Sequence, residues 1–283
     1  MLRLLILLGL ALGLAHATPT ATAVRVVSQT VGSDELLLAV AAPEQIAALS
    51  HLAQDPMFSG VSREAAAFPK LALGDAETLL RHRPTHALFA DYSRIELIEQ
   101  VRRAGVEVII FDRYHSLADA HANLKRLAAI IGPEAAERAE RIIESDTERM
   151  AALNARLADV KPVKVIAPST YGVIAGAATT FQDLCDHAGA ENLAVTLGGL
   201  RGHAPPPNER LLRWPVERLV VSGADVKEAL APYRKLPPYQ FMPAVREGRA
   251  VVIPSWMLGC VSHLRVAAYE RLARELHPAL FSE

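Results

Sequence analysis

After Gly132-Pro133 the chain runs to Pro162 without another glycine or proline, and this uninterrupted stretch constrains every fold the chain can adopt. Apolar residues recur at Ile142, Ile143, Met150, Leu153, Leu157 and Val160, which gather on one face of a helix at 3.6 residues per turn. Pro133 suits a first helical turn, where its missing N–H is no loss, and Pro162 ends the run. A helix over 133–161 reaches roughly 40 Å at 1.5 Å per residue, about the size of a whole domain. Such a helix can lie along the surface of one core or act as a strut between two. The patterns on either side favour the strut.

Ahead of it, β-branched runs at 24–28 (VRVVS), 46–50 (IAALS), 86–90 (HALFA) and 106–112 (VEVIIFD) read as strands. Helical patterns headed by acidic or capping residues lie between them at 34–40, 75–81 and 93–104, the last ended by Gly105. Behind it the alternation restarts, with strands at 163–169 (VKVIAPS), 218–222 (RLVVS) and 250–255 (AVVIPS) and helices at 180–188, 208–213, 226–235 and 262–276. Strands alternating with helices imply parallel pairing with helical crossovers. The fold class expected is therefore α/β, as two lobes joined by one long helix. The divisions are a leader at 1–17, a first lobe at 18–132, the helix at 133–161 and a second lobe at 162–283.

The leader has its own signature. Arg3 precedes an apolar run from Leu4 to Ala15 that is too short to span a bilayer, and Ala15-His16-Ala17 is an A-x-A cleavage site. Cleavage after Ala17 and release into the periplasm are expected, and no cysteine stands there for lipid attachment. The formal net charge of -1, with acids and bases interleaved, offers no basic stripe for a phosphate backbone, so nucleic acid is not an expected partner. Cys185 and Cys260 are the only thiols. In an oxidising compartment they form either a disulfide or two buried apolar thiols, and spacing does not decide between them.

Several segments resemble one family in their order and spacing. These are Arg25-Val26-Val27-Ser28 followed by Asp34-Glu35-Leu36-Leu37, then 46–50, 77–89 (ETLLRHRPTHALF), 105–112, and Trp256 with Cys260 after the last strand. Together they resemble the helical-backbone class of periplasmic binding proteins, which serves vitamin B12, haem and iron-siderophore importers. The resemblance covers nearly the whole mature chain. It implies two Rossmann-like lobes with a cleft between them, a bulky small-molecule ligand, an ABC permease or other membrane transport component as partner, and a monomer without a resident cofactor. It also implies that Glu77 and Glu209 dock the permease, because Glu77 to Pro84 before one strand is echoed by Glu209 to Pro215 before another. Each acid also suits a helix N-terminus on electrostatic grounds alone. The chain departs from the family at Thr85-His86 and Val216-Glu217, where an aspartate often follows the proline. Aromatic residues are scarce, at 2 Trp, 6 Tyr and 7 Phe. That scarcity raises an alternative cargo, an apolar lipid such as a sterol or hopanoid.

In parallel sheets, ligands gather beyond the carboxyl ends of the strands. The residues expected there are Gln29, Phe58, Tyr92, Arg113, Tyr114, His115, Tyr171, Trp256 and Met257, an apolar body with a few polar handles. Phe58 and Trp256 are equally suited to capping the two cores. The ten histidines are scattered without an H-E-x-x-H pair, so a metal site would need distant loops to bring His51, His115 and His203 together. Neither a G-x-S-x-G elbow nor a P-loop is present, and the chain reads as a non-enzyme. The glycine-rich run at 198–203 reads as a flexible loop over the cleft. A single helical connection should also keep lobe closure small.

Overall fold

The structure, a computed structural model, describes residues 23–72 and 75–282. The leader expected at 1–17 lies outside them. The first lobe contains β1 (Val26–Ser28), α1 (Val31–Val40), β2 (Ile46–Ala48), α2 (Ser62–Ala65), α3 (Ala76–Leu80), β3 (His86–Ala90), α4 (Ile95–Arg103), β4 (Glu107–Phe111) and α5 (Leu117–Ile131). Its sheet has the order β2-β1-β3-β4, with every pairing parallel. Parallel strands are buried on both faces by their crossover helices, and the side chains alternate accordingly. Val26, Leu88 and Ile109 face a core built with Leu36, Leu37, Leu124 and Leu127. Val27, Ala87 and Phe89 face the opposite core with Leu79, Leu97, Ile98 and Val101.

Helix α6 (Pro133–Leu157) follows Gly132, whose φ of 138° suits a residue without a Cβ. Its buried apolar positions fall into two groups. Ala135 and Ala139 belong to the first lobe's core beside α1 and α5. Met150 and Leu153 belong to a second core. The helix ends at Leu157, and a turn closed by Val160 N–H donating to the Leu157 carbonyl carries the chain to Pro162. It is therefore one turn shorter than the expected 133–161.

The second lobe comprises β5 (Val163–Ile166), β6 (Ile174–Ala175), α7 (Thr180–His187), β7 (Ala190–Asn192), α8 (Leu193–Thr196), β8 (His203–Ala204), α9 (Asn208–Leu211), β9 (Arg218–Val221), α10 (Val226–Leu230), α11 (Pro243–Arg246), β10 (Ala250–Val252), α12 (Ser255–Leu258) and α13 (Arg265–Leu276). Its main sheet, β10-β9-β5-β7, is also all parallel. Val165, Val220 and Val251 face α6, α7 and α13, whereas Ile166, Leu219 and Val221 face the other side. Among the described residues, no helix is long and apolar enough to cross a membrane.

Three points of the sequence reading are completed or corrected by the structure. A 15-residue helix, α5, occupies a stretch for which no element was expected from the sequence; Ser116 caps it by accepting from Asp119 N–H, and Ala120, Leu124, Leu127, Ala128 and Ile131 form its buried stripe. The glycine-rich run is not a free loop, because β8 pairs antiparallel with β6 and Gly202 N–H donates to the Ala177 carbonyl. Of the two alternatives open for the cysteines, the structure has the buried thiols: Cys185 is buried on α7 in the second core, and Cys260 is a separate buried thiol near α1.

Because α6 feeds both cores, its buried face should carry stability that its exposed face does not. Leu153→Ala is expected to lower the unfolding free energy by about 2–5 kcal/mol. Glu140→Ala, which removes only an exposed ion pair with Lys125, should cost less than about 1 kcal/mol. Urea denaturation of the two variants checks the contrast.

Candidate ligand-binding site

The carboxyl ends of β1, β2, β3 and β10 open onto one cleft of about 460 Å³. From the first lobe it is lined by Gln29, Thr30 and Gly32 after β1, by His51, Met57 and Phe58 after β2, and by Tyr92, Ser93 and Arg94 after β3. From the second lobe come Ser255, Trp256, Gly259, Cys260 and Val261, all after β10. Local capping sets several of these positions. Thr30 accepts from Ser33 N–H at the start of α1 and Ser33 reciprocates, which fixes the turn leaving β1. Ser93 Oγ donates to Gln29 Oε1 at 2.9 Å and ties the β1 and β3 loops together.

The rim is apolar and open, with Met57, Phe58 and Tyr92 left 58%, 47% and 69% exposed. The floor is polar and closed, because Glu35 and Ser50 line it while almost fully buried. A smaller cavity of about 60 Å³ adjoins it, with Tyr92, Phe111, Tyr114 and Asn123 in its walls. Tyr92 and Tyr114 meet edge to face with ring centroids 6.1 Å apart. Tyr114 Oη donates to Asp91 at 2.9 Å, and partial burial together with that carboxylate pushes the phenol up to about 12.

The expected residues divide between this cleft and other duties. Gln29, Phe58, Tyr92 and Trp256 line it, and Tyr114 lines the adjoining cavity. Arg113 and His115 are outside the lining: Asp119, near the start of α5, pairs with the Arg113 guanidinium at 3.0 Å and accepts from the His115 backbone N–H at 3.1 Å. Met257 packs against the second core. Tyr171 stands 92% exposed on the turn after β5, outside the lining. His51 lines the cleft, whereas His115 and His203 do not. No His, Cys, Asp or Glu group among the described residues is arranged to hold a metal ion. Glu77 and Glu209 are both exposed, each at the second position of its short helix. Sequence reasoning missed Arg94 and the segment Gly259 to Val261, which extend the expected loops by a few residues, and the floor residues Glu35 and Ser50.

The floor also carries unusual electrostatics. Asp34 accepts from Ser50 N–H at 3.0 Å and from Ser50 Oγ, yet burial outweighs these bonds and pushes its carboxyl up to about 7. Burial raises Glu35 as well, against hydrogen bonds from Ser262, Gly60 and Cys260. An acid whose folded pKa lies above its unfolded value loses stabilising proton affinity as pH rises through that interval. For Asp34 the interval runs from about 4 to about 7. The urea midpoint should fall over this range, and Asp34→Asn should flatten the fall. An unchanged slope in the variant would remove Asp34 as its source.

Beneath the Trp256 wall, Arg265 is buried with three partners. It donates to Asp183 Oδ2, to the Tyr114 carbonyl of the first lobe and to the Cys260 carbonyl, each at 2.9 Å. Tyr269 Oη donates to the same aspartate. Both terminal nitrogens of the guanidinium thus carry hydrogen bonds, one of them to a carboxylate, which offsets the burial of its charge.

The family model for periplasmic binding proteins matches residues 26–256, most of the chain, and proteins of that family bind solutes without catalysing reactions. A comparison with curated proteins gave no match. Among solved structures, the periplasmic heme-binding protein RhuT from Roseiflexus sp. RS-1 superimposes with a TM-score of 0.78 at 20% identity, over 92% of this chain and 100% of its own. The periplasmic heme-binding protein HutB of Vibrio cholerae gives 0.74 at 22% identity, over 90% and 99%. The molybdate-binding protein MolA of Haemophilus influenzae gives 0.74 at 15% identity, over 92% and 87%. At these identities the superpositions establish the bilobed fold and leave the ligand open.

Proposed function

We propose that this chain, which belongs to the periplasmic binding protein family, is the receptor of an ABC importer and captures a flat tetrapyrrole of the haem or corrinoid class between its lobes. The observation that carries this reading is the composition of the cleft. A chain with only 5% aromatic residues gathers Phe58, Tyr92 and Trp256 around one opening, with Met57 beside them. Flat apolar side chains from both walls suit a ring system lying between them. His51 supplies an imidazole and Tyr92 a phenol, both side-chain types that ligate haem iron. Arg94 adds a guanidinium suited to carboxylate side arms. Two of the three structural relatives above are heme-binding proteins.

Titration with hemin tests the proposal through its visible absorption. One equivalent is expected to bind with a dissociation constant near or below about 1 μM, corresponding to about -8 kcal/mol. Phe58→Ala and Trp256→Ala should each weaken binding about tenfold, or about 1.4 kcal/mol. Native mass spectrometry against cobalamin, ferric siderophores and extracted lipids runs beside it. Retention of a siderophore or of a sterol-like or hopanoid lipid, with neither hemin nor cobalamin bound, overturns the tetrapyrrole assignment.

Delivery rests on Glu77 and Glu209. Helix α3 feeds β3 and α9 feeds β9, so the two acids occupy equivalent places in the two lobes. Such a pair suits a permease with two-fold symmetry. The double variant Glu77→Ala, Glu209→Ala should retain ligand affinity and lose most transport. Full transport would remove the docking role.

A further inference from the structure

The carboxylate of Glu35 holds both walls of the cleft. It lies on α1 of the first lobe and is 2% exposed. Its Oε1 accepts from Gly60 N–H at 3.0 Å, at the end of the loop that carries Met57 and Phe58. Its Oε2 accepts from Ser262 Oγ at 2.6 Å, in the second lobe, and the Cys260 thiol points at the same oxygen from 3.9 Å. Ser262 is itself fully buried, and its hydroxyl oxygen accepts from Leu264 N–H.

Packing beside this bond is close enough for spacing to matter. A Cβ on Gly60 would stand 2.9 Å from Leu264 Cδ1 and 3.0 Å from Trp256 Cζ3, and one on Gly32 would stand 2.4 Å from Val261 Cγ2. At both places the second lobe lies directly on first-lobe backbone. Donors converge on Glu35 from both sides, and an ionised carboxylate meets them with acceptors on both oxygens, whereas an amide offers one.

We propose that Glu35 is a positioning residue of the cleft, which sets the separation between the Met57-Phe58 wall and the Trp256 wall by accepting hydrogen bonds from both lobes at once. This rests on the receptor reading for its effect on ligand capture. Its effect on wall geometry is independent of any ligand.

The experiment uses the full mature chain carrying Trp214→Phe, which leaves Trp256 as the single tryptophan. Glu35→Ala, Ser262→Ala and the double variant are compared in that background. Without ligand, each single variant is expected to shift Trp256 emission to the red and to raise its acrylamide quenching about twofold. Hemin affinity should fall about tenfold in Ser262→Ala and at least as far in Glu35→Ala, which also loses the bond from Gly60, and the double variant should lose no more than Glu35→Ala alone, because Ser262 acts on the wall through Glu35. Unchanged emission and quenching in folded Glu35→Ala overturn the proposal, as does a double variant whose affinity loss is the product of the singles. Should Glu35→Ala fail to fold, Ser262→Ala removes only a hydroxyl and decides the matter through the same fluorescence readout. Failure of hemin to bind the parent protein tells against the tetrapyrrole reading alone, since the fluorescence arm still tests the role of Glu35.

Discussion

Parallel pairing is the constraint on which the rest of the structure depends. Strands running in one direction must be joined by crossovers, and crossovers bury both faces of the sheet. The alternating cores show this directly, with Val26 on one side and Val27 on the other in the first lobe, and Val165 and Ile166 similarly divided in the second. With both faces occupied, the strand ends are where recognition groups can be displayed. The loops after β1, β2, β3 and β10 therefore share one opening. The cleft is a consequence of how the two sheets are wound.

Its chemistry is layered. Exposed apolar and aromatic groups occupy the rim, where a ligand can be enclosed by shape. Below them, Glu35, Ser50 and Cys260 form a buried polar layer whose hydrogen bonds are internal to the protein. Burying carboxylates there is costly, and the raised affinity of Asp34 and Glu35 for protons is the electrostatic trace of that cost. Satisfied polar groups at a joint favour one geometry over many, because a displaced wall would leave them without partners.

Much of this was legible in the amino-acid order, and what was not has physical reasons. The strands stood out because β-branched runs are short and bounded. Tyr92 and Trp256 were legible because they lie two and four residues beyond strand ends, and Phe58 because the loop after β2 runs on to it. Helix α5 was overlooked although Ser116 and the stripe at 120, 124, 127, 128 and 131 announce it, since Arg113-Tyr114-His115 was read as a ligand loop running onward. Arg113 and His115 were expected at the cleft, and in the structure the Arg113 guanidinium and the His115 backbone N–H both meet Asp119 four to six residues later, at the start of α5. Glu35 was invisible for a different reason. Its partners lie 25 and 227 positions away, and no local pattern announces a contact across lobes.

Arg265 carries one further consequence, for how the chain is put together. Its partners at Tyr114 and Asp183 are 151 and 82 positions upstream, so its charge can leave water at tolerable cost only after both have been delivered. An emerging polypeptide can pair its early strands at once, yet the mouth of the molecule stays unformed until the last long helix arrives. Closure of the joint between the lobes is thereby tied to the arrival of the chain's last long helix.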